Sequence, residues 1–332
     1  MPSDGVQAAK VGHEASLFSR ANVVGVAVGN KVIRGRETDE RCVVVFVERK
    51  RHESELRPRD IVPKEVEGIR TDVVETGRFR ALSFMDPVTV DRTQRIRPAP
   101  GGVSLGHVRI TAGTLGMLAD RRGRPVILSN NHVLANGNEA RPGDLILQPG
   151  PADGGQVADG IARLADFVPI QFNERPLGAV GQFLERVLGP LLALLGLGIK
   201  RLPTNRLNLV DAAIAEPIDA EAVSSEILDI GWVRGTAEAA IGMAVRKSGR
   251  TTGLTQGRVT ALDAVVEVDY GGKTAIFREQ IVSDILSQGG DSGSLVVDTG
   301  HRAVGLLFAG SATTTLINPI RAVEHFLDLT LS

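Results

Sequence analysis

Three residues of the chain have the side chains that nucleophilic catalysis requires, and each lies in a short, distinctive stretch. The stretches are VILSNNH (126–132), NLVDAAIA (208–215) and SQGGDSGS (287–294). A serine hydroxyl is a poor nucleophile at neutral pH unless a base takes its proton, and the base works better when a third group fixes its tautomer. The stretches therefore predict a triad in the chain order His132, Asp211, Ser292.

Each of these residues also has a simpler interpretation. Ser292 could be a polar residue in a tight turn between two strands, and His132 could be a structural histidine at a strand end. Asp211 has rivals for contact with His132 in other carboxylates of the same region, namely Asp144, Asp153, Asp159 and Asp166. Asp211 is favoured because an ionised side chain inside an apolar strand needs a partner, and His132 would be one.

Taken together, Asn-Asn-His132-Val, Val-Asp211-Ala-Ala-Ile and Gly-Gly-Asp-Ser292-Gly resemble the three catalytic motifs of the trypsin-like (chymotrypsin-fold) serine proteases. The resemblance covers residues 103–332. Within this family the chain is similar to the intracellular bacterial and plant branch with an extra N-terminal domain, which includes the NARROW LEAF1 proteases. The resemblance implies a mostly β fold of two antiparallel six-stranded barrels with a C-terminal helix.

The resemblance also implies roles for residues around the nucleophile. The backbone N–H groups of Gly290 and Ser292 would hold the oxyanion of the tetrahedral intermediate. Leu286, Phe308 and Gly310 would line the substrate pocket. Because leucine at the pocket floor carries no charge, we expect a preference for apolar residues before the cleaved bond.

Asp291, beside the nucleophile, has no evident partner in the sequence. In proteases of this family that are activated by cleavage, the equivalent acid pairs with a newly made N-terminus. No such activation sequence is visible near Val103. The sequence therefore leaves open what Asp291 pairs with and whether the enzyme is constitutive or switched.

The composition argues against several other function classes. The 332 residues include 38 Lys and Arg and 39 Asp and Glu, so the net charge of −1 creates no global field for nucleic acid or an acidic membrane. One Trp and one Tyr argue against a nucleic-acid stacking surface. The histidines and Cys42 lack metal-ligand spacing, and no phosphate-binding motif is complete, so we predict neither a metal nor a cofactor. The apolar runs are too interrupted for a membrane span.

Two features bear on the cellular compartment. Cys42 is the only cysteine, so no internal disulfide can form. The N-terminal MPSDGVQ lacks the basic segment and apolar core of a signal peptide. Both features predict a reducing, cytoplasmic location.

The organisation of the chain follows from shifts in composition. The predicted segments are a flexible leader (1–20), a small α+β N-terminal domain (21–85), a proline-rich linker (86–102), a first barrel with His132 and Asp211 (103–221), a helical insert within that barrel (176–202), and a second barrel with Ser292 and the C-terminal helix (222–332). The insert is apolar and a two-barrel protease does not require it. We therefore predict that it mediates homo-oligomer contacts rather than only packing on the barrel.

The favoured function is a serine endopeptidase that hydrolyses intracellular proteins or peptides through an acyl-enzyme intermediate. The alternative is a catalytically weak or autoinhibited protein that uses the protease fold for binding or as a scaffold. An esterase with the same triad is a third hypothesis, although Ser292 lacks the Gly-x-Ser-x-Gly pattern of the α/β-hydrolases. The natural substrate and the role of the N-terminal domain stay open.

Overall fold

The computed structural model describes residues 4–33, 36–81, 91–173 and 207–331. The described helices are α1 (Asp4–Phe18), α2 (Asn131–Leu134) and α3 (Ile320–Leu327). The described strands are β1 (Val23–Ile33), β2 (Arg36–Val47), β3 (Glu65–Val66), β4 (Ile69–Glu75), β5 (Phe79–Ala81), β6 (Ala99–Gly101), β7 (Ser104–His107), β8 (Gly113–Thr114), β9 (Met117–Arg121), β10 (Arg124–Ser129), β11 (Leu145–Leu147), β12 (Gly160–Phe167), β13 (Ala213–Pro217), β14 (Val223–Ile227), β15 (Gly231–Trp232), β16 (Ala244–Gly249), β17 (Gly253–Asp269), β18 (Thr274–Ser283), β19 (Leu295–Asp298), β20 (Ala303–Gly310) and β21 (Thr315–Pro319). The predicted mostly β fold with a C-terminal helix is confirmed.

The first barrel is an antiparallel sheet in the order β8-β7-β11-β12-β13-β10-β9. β8 pairs with β7 and β9 pairs with β10, and a two-residue break separates β8 from β9. β8 and β9 therefore act as one interrupted strand that closes the ring. Counted in this way, the barrel has six strands. Its interior is apolar, and its most buried members include Leu105, Leu115, Ile127, Ile146 and Ala213.

The second barrel is a closed ring of six antiparallel strands. They follow the order β16-β19-β20-β21-β18-β17, and β17 pairs back onto β16. A second apolar cluster fills this ring and includes Val245, Val259, Val296, Leu307 and Ile317. Closure leaves no free edge within the ring, so an additional strand can join only where one ring strand extends beyond its neighbour.

The two barrels share a large apolar interface. Leu128 and Ile214 of the first barrel pack in one cluster with Leu295 and Leu306 of the second. The buried face of α3 joins this cluster through Ile320, Val323 and Leu327. The cleft between the barrels is therefore set by a common core, and residues on both sides of it are held in a fixed relation.

The N-terminal strands continue the sheet of the second barrel. β1 pairs antiparallel with β17, and the sheet extends through β2, β4 and β3. The predicted frayed leader (1–20) differs from the structure, because α1 packs Val6, Ala9 and Leu17 against the strands. These three residues fall on one helix face. The apolar stripe is short, and the small and polar residues around it make the helical period weak in the sequence.

Other predicted segments can be compared only in part. The described part of the linker includes β6, which pairs parallel with β14. The helical insert at 176–202, and the oligomer contact predicted for it, lie outside the described residues. The domain boundaries stay a prediction. Within the described ranges, no helix has both the length and the apolar character needed to cross a bilayer.

Cys42 lies on β2 and is fully buried. Burial, with a smaller contribution from Asp72, raises the pKa of its thiol to about 12. Because the thiolate is the reactive form, we expect the folded protein to resist alkylation by iodoacetamide near pH 8 and to react once unfolded in guanidinium. Mass spectrometry of the two samples checks this, and full alkylation of the folded protein would contradict the buried position.

Candidate active site

His132 is positioned by the end of β10 and the single turn of α2. The side chains of Val126, Ile127 and Leu128 anchor β10 in the barrel core. Asn130 stands at the helix start, where its amide donates to the carbonyl oxygen of Asp211 at 2.7 Å. The segment that carries His132 is therefore hydrogen-bonded directly to the backbone of the residue that supplies the carboxylate.

Asp211 precedes β13 and its side chain is fully buried. Nδ1 of His132 lies 2.6 Å from Oδ2 of Asp211, and the backbone N–H of His132 donates to Oδ1 at 3.2 Å. The hydroxyl of Tyr270 donates to Oδ2 at 2.8 Å. A buried carboxylate needs such donors, and here they come from both barrels.

The bond from Nδ1 to Asp211 determines what the other imidazole nitrogen can do. When Nδ1 donates its proton to the carboxylate, Nε2 of a neutral imidazole carries a lone pair. Nε2 of His132 is buried and makes no hydrogen bond within the described part of the chain. It is therefore a base with an unused lone pair, as a general base requires.

The rival carboxylates are occupied elsewhere. Each of them forms an ion pair with a different cation or histidine: Asp144 with His107, Asp153 with Arg250, Asp159 with Arg95 and Asp166 with Arg121. Asp211 is the one of the five that contacts His132. The interpretation of Asp211 from its apolar surroundings agrees with this geometry.

Ser292 is buried and lies in the loop between β18 and β19, the serine loop (284–294). Its hydroxyl donates to the carbonyl oxygen of Phe308 at 3.2 Å, and its own carbonyl oxygen accepts from the N–H of Thr114 at 2.8 Å. A Cβ on Gly113 would lie 2.4 Å from Val133 and 3.0 Å from the Ser292 carbonyl oxygen. Gly113 therefore packs against both Ser292 and Val133, the residue that follows His132.

The backbone of the serine loop is oriented by two threonines. Thr251 Oγ1 donates to the carbonyl oxygen of Gly289 at 2.6 Å, and Thr114 Oγ1 donates to that of Gly290 at 2.7 Å. Because the C=O and N–H of a trans peptide point in opposite directions, the N–H of Gly290 is directed away from Thr251. Gly290 has φ +97°, and a Cβ there would lie 2.4 Å from Thr251 Oγ1, so glycine is required.

The structure supplies the partner that the sequence left open for Asp291. Lys247 of β16 places Nζ 3.2 Å from Oδ2 of Asp291, and both side chains are fully buried. Asp291 also accepts from the backbone N–H groups of Thr251, Thr252 and Gln288 at 2.9 to 3.0 Å. Burial lowers the pKa of Lys247, while Asp291 opposes that shift. In the folded chain, Asp291 therefore forms its ion pair with an internal lysine, Lys247.

The predicted substrate-pocket residues lie in different environments. Leu286 is 55% exposed, because its carbonyl oxygen is held by Thr255 Oγ1 while the side chain faces solvent. Phe308 is buried against Phe277, with ring centroids 4.8 Å apart. Gly310 is buried. The pocket role of these three residues and the expected apolar preference stay predictions.

A cavity of about 300 Å³ opens beside His132. The lining is mixed: apolar side chains such as Ile110, Ala112 and Phe172 lie beside Tyr270 and the ion pair of Lys273 and Glu139. In the described ranges, no group of three or more His, Cys, Asp and Glu side chains is arranged to hold a metal ion. The cavity has the size and lining of a site for an organic group next to the histidine.

Tyr270 contributes a hydrogen bond that the sequence motifs did not reveal. Tyr270 is half-buried, and desolvation of its hydroxyl together with the charge of Asp211 raises the pKa of that hydroxyl well above 10.0, so it stays a donor to Asp211. We expect Tyr270→Phe to lower kcat by roughly 10-fold or more, the value of one bond to a charged group. Asp211 would then attract the imidazolium more strongly, so the acid limb of the pH–rate profile should move to higher pH.

The measurement is kcat/KM of wild type and Tyr270→Phe between about pH 5 and pH 9. Phenylalanine keeps the ring contacts with Phe172 and Phe277, which limits the change to the hydroxyl. A variant that loses stability but keeps the wild-type pH profile would show that the hydroxyl has only a structural role.

The chain matches one protein-family model and two curated bacterial proteins. Residues 11–75 match the model of the NARROW LEAF 1 N-terminal domain family. Serine protease 2 of Streptomyces fradiae is 40% identical over 79 residues, which cover 24% of this chain and 43% of that protein. Streptogrisin-A of Streptomyces griseus is 37% identical over 85 residues, covering 24% and 27% of the two chains. The matches therefore span less than half the length of these curated relatives.

Two solved structures are similar over a larger part of the chain. Cellulomonas bogoriensis chymotrypsin has a TM-score of 0.44 and 18% identity, covering 70% of this chain and 98% of that one. A glutamic acid specific serine protease has a TM-score of 0.47 and 18% identity, covering 70% and 100%. The resemblance predicted from the motifs is confirmed: the chain resembles the trypsin-like serine proteases and carries an N-terminal domain of the NARROW LEAF 1 type.

Proposed function

We propose that the protein is a serine endopeptidase with His132, Asp211 and Ser292 as its catalytic triad. The observation that carries the proposal is the 2.6 Å contact between Nδ1 of His132 and Asp211, which leaves Nε2 as a buried nitrogen without a hydrogen bond in the described part of the chain. One curated relative that matches the chain is named Serine protease 2, which supports the same reaction class.

In the proposed reaction, Ser292 Oγ turns from the Phe308 carbonyl toward Nε2 of His132 and gives up its proton. The oxygen attacks the peptide carbonyl, and the resulting oxyanion accepts from the N–H groups of Gly290 and Ser292. His132 then returns the proton to the leaving amine, and water hydrolyses the acyl-enzyme by the same steps in reverse. Asp211 holds the imidazole and stabilises its cation throughout.

The substrates that we propose are intracellular proteins or peptides in a reducing compartment. The single buried Cys42 and the acid–lysine pair of Asp291 and Lys247 both allow an assembled site without disulfides or activation cleavage. The domain division and a homo-oligomer remain part of this proposal.

The test is hydrolysis of an unfolded protein, such as reduced and alkylated casein, followed by mass spectrometry of the new termini. Wild type should generate peptides over hours, and Ser292→Ala should generate none above background. Equal cleavage by the two proteins would assign the activity to a contaminant and reject the proposal.

A further inference from the structure

The short strand β5 pairs with the second barrel beside the serine loop. Ala81 of β5 lies opposite Ala309 of β20, and Arg80 lies opposite Gly310, in antiparallel register. The other edge of β5 runs parallel to β17, with Phe79 opposite Val268. In the chain, β5 follows the N-terminal domain match at 11–75 and precedes the first barrel. A connecting segment thus contributes a strand to the barrel that carries the nucleophile.

The edge of β20 that β5 occupies adjoins the serine loop. On one side, β20 pairs with β21 as far as Gly310. On the other side, its pairing with β19 ends at Leu306, where the chain of β19 leads back into the serine loop. Beyond Leu306 this edge faces the nucleophile: Gly293 donates to the carbonyl of Leu307, and Ser292 Oγ donates to that of Phe308.

This arrangement defines where an extended peptide would reach Ser292. A peptide that adds as a strand gains backbone hydrogen bonds from an edge and runs along it in register. A peptide antiparallel to Phe308–Gly310 would be led directly to the hydroxyl that contacts Phe308. We propose that β5 is an internal occupant of this edge, which an extended substrate must displace before it can pair there. The inference rests on the proposed protease function.

Phe79 holds β5 in place. Its side chain is 1% exposed and makes an edge-to-face contact with Phe46 of β2, with centroids 5.9 Å apart. Both rings belong to a cluster that also contains Phe308. β5 has two residue pairs with β20 and two with β17, so both ladders are short and the buried Phe79 side chain adds to them. The resting chain therefore carries a short strand, held by two short ladders and one aromatic side chain, on the edge beside its nucleophile.

The first experiment loosens the anchor in the full chain. We expect Phe79→Ala to raise kcat/KM for an extended peptide substrate at least 10-fold, because β5 leaves the edge more often. Val43→Ala is the matched control, since Val43 is a buried residue of β2 in the cluster under α1, on the other face of the strand from Phe46. Equal or lower activity of folded Phe79→Ala relative to Val43→Ala would overturn the proposal.

The second experiment cross-links β5 to β20 and removes no core side chain. Directly opposite residues of antiparallel strands have Cα atoms 4.5 to 5.5 Å apart, within the range that a disulfide spans. Ala81→Cys with Ala309→Cys in a Cys42→Ala background should therefore cross-link β5 to β20. We expect the oxidised protein to lose at least 10-fold in peptide cleavage and to regain it on reduction, while the Ala81→Cys single variant is insensitive to redox state.

A small fluorophosphonate separates this inference from the proposed function, because it reacts with an activated serine without pairing along the edge. Labelling of oxidised and reduced proteins alike, with peptide cleavage only after reduction, would support an occupied edge. Equal peptide cleavage before and after reduction would overturn it. Wild type that neither labels nor cleaves would instead reject the protease function itself.

Discussion

We expect Ser292→Ala to lower kcat for peptide hydrolysis by about a million-fold, the loss typical of removing the nucleophile of a serine protease. His132→Ala should cost a similar factor, because Nε2 of His132 is the base within the cleft and its other nitrogen is already committed to Asp211. The double variant should be no slower than either single variant, since the two residues act as one unit.

The measurement is single-turnover cleavage of a peptide that the wild type hydrolyses, with folding of each variant checked by thermal unfolding. His52→Ala is the control for His132, because His52 is an exposed histidine of the N-terminal region. Additive losses in the double variant would mean that serine and histidine contribute to separate steps and that the proposed proton transfer is wrong.

The second large effect is expected at Lys247. Lys247→Met leaves the carboxylate of Asp291 buried without its cation, and breaking such a pair typically costs roughly 3–5 kcal/mol of unfolding free energy. Asp291 also holds the N–H groups of Thr251 and Thr252, and Thr251 fixes the Gly289 carbonyl. We therefore expect kcat to fall by roughly 100-fold or more as well, because the N–H of Gly290 loses its orientation.

Urea denaturation and kcat of the folded fraction measure the two parts of this prediction. Arg258→Met serves as the control, since it removes an exposed cation from the neighbouring strand β17. Lys247→Arg keeps the positive charge and should recover part of both losses. A folded Lys247→Met protein with wild-type kcat would show that the pair supports stability alone and does not prepare the oxyanion site.

The core of the candidate site was predictable because each triad residue lies in a local pattern. His132 follows an apolar run, Asp211 interrupts one, and Ser292 lies among glycines. Their partners had no such pattern. Lys247 lies in a basic, turn-rich stretch, and Tyr270 lies at a hairpin turn, so each reaches the site only through long-range strand pairing. Sequence alone does not report that pairing.

The fold shows the same division between local and long-range information. The two barrels were implied by the resemblance of the three motifs to a known family, and the C-terminal helix by the amphipathic end of the chain. The pairing of β1 with β17, which joins the N-terminal strands to the second barrel, depends on contacts between residues more than 200 positions apart, such as Gly25 and Val266. The exposure of Leu286 is a related case, because its position relative to Ser292 in the sequence did not reveal which way its side chain points.

The most direct test of the account is the site at which a fluorophosphonate reacts. Wild type, Ser292→Ala and His132→Ala would each be treated with the probe, digested and mapped by mass spectrometry. The account predicts an adduct on Ser292 in wild type, and none at that position in either variant. An adduct confined to another serine, or equal labelling of Ser292 in His132→Ala, would contradict a nucleophile activated by His132.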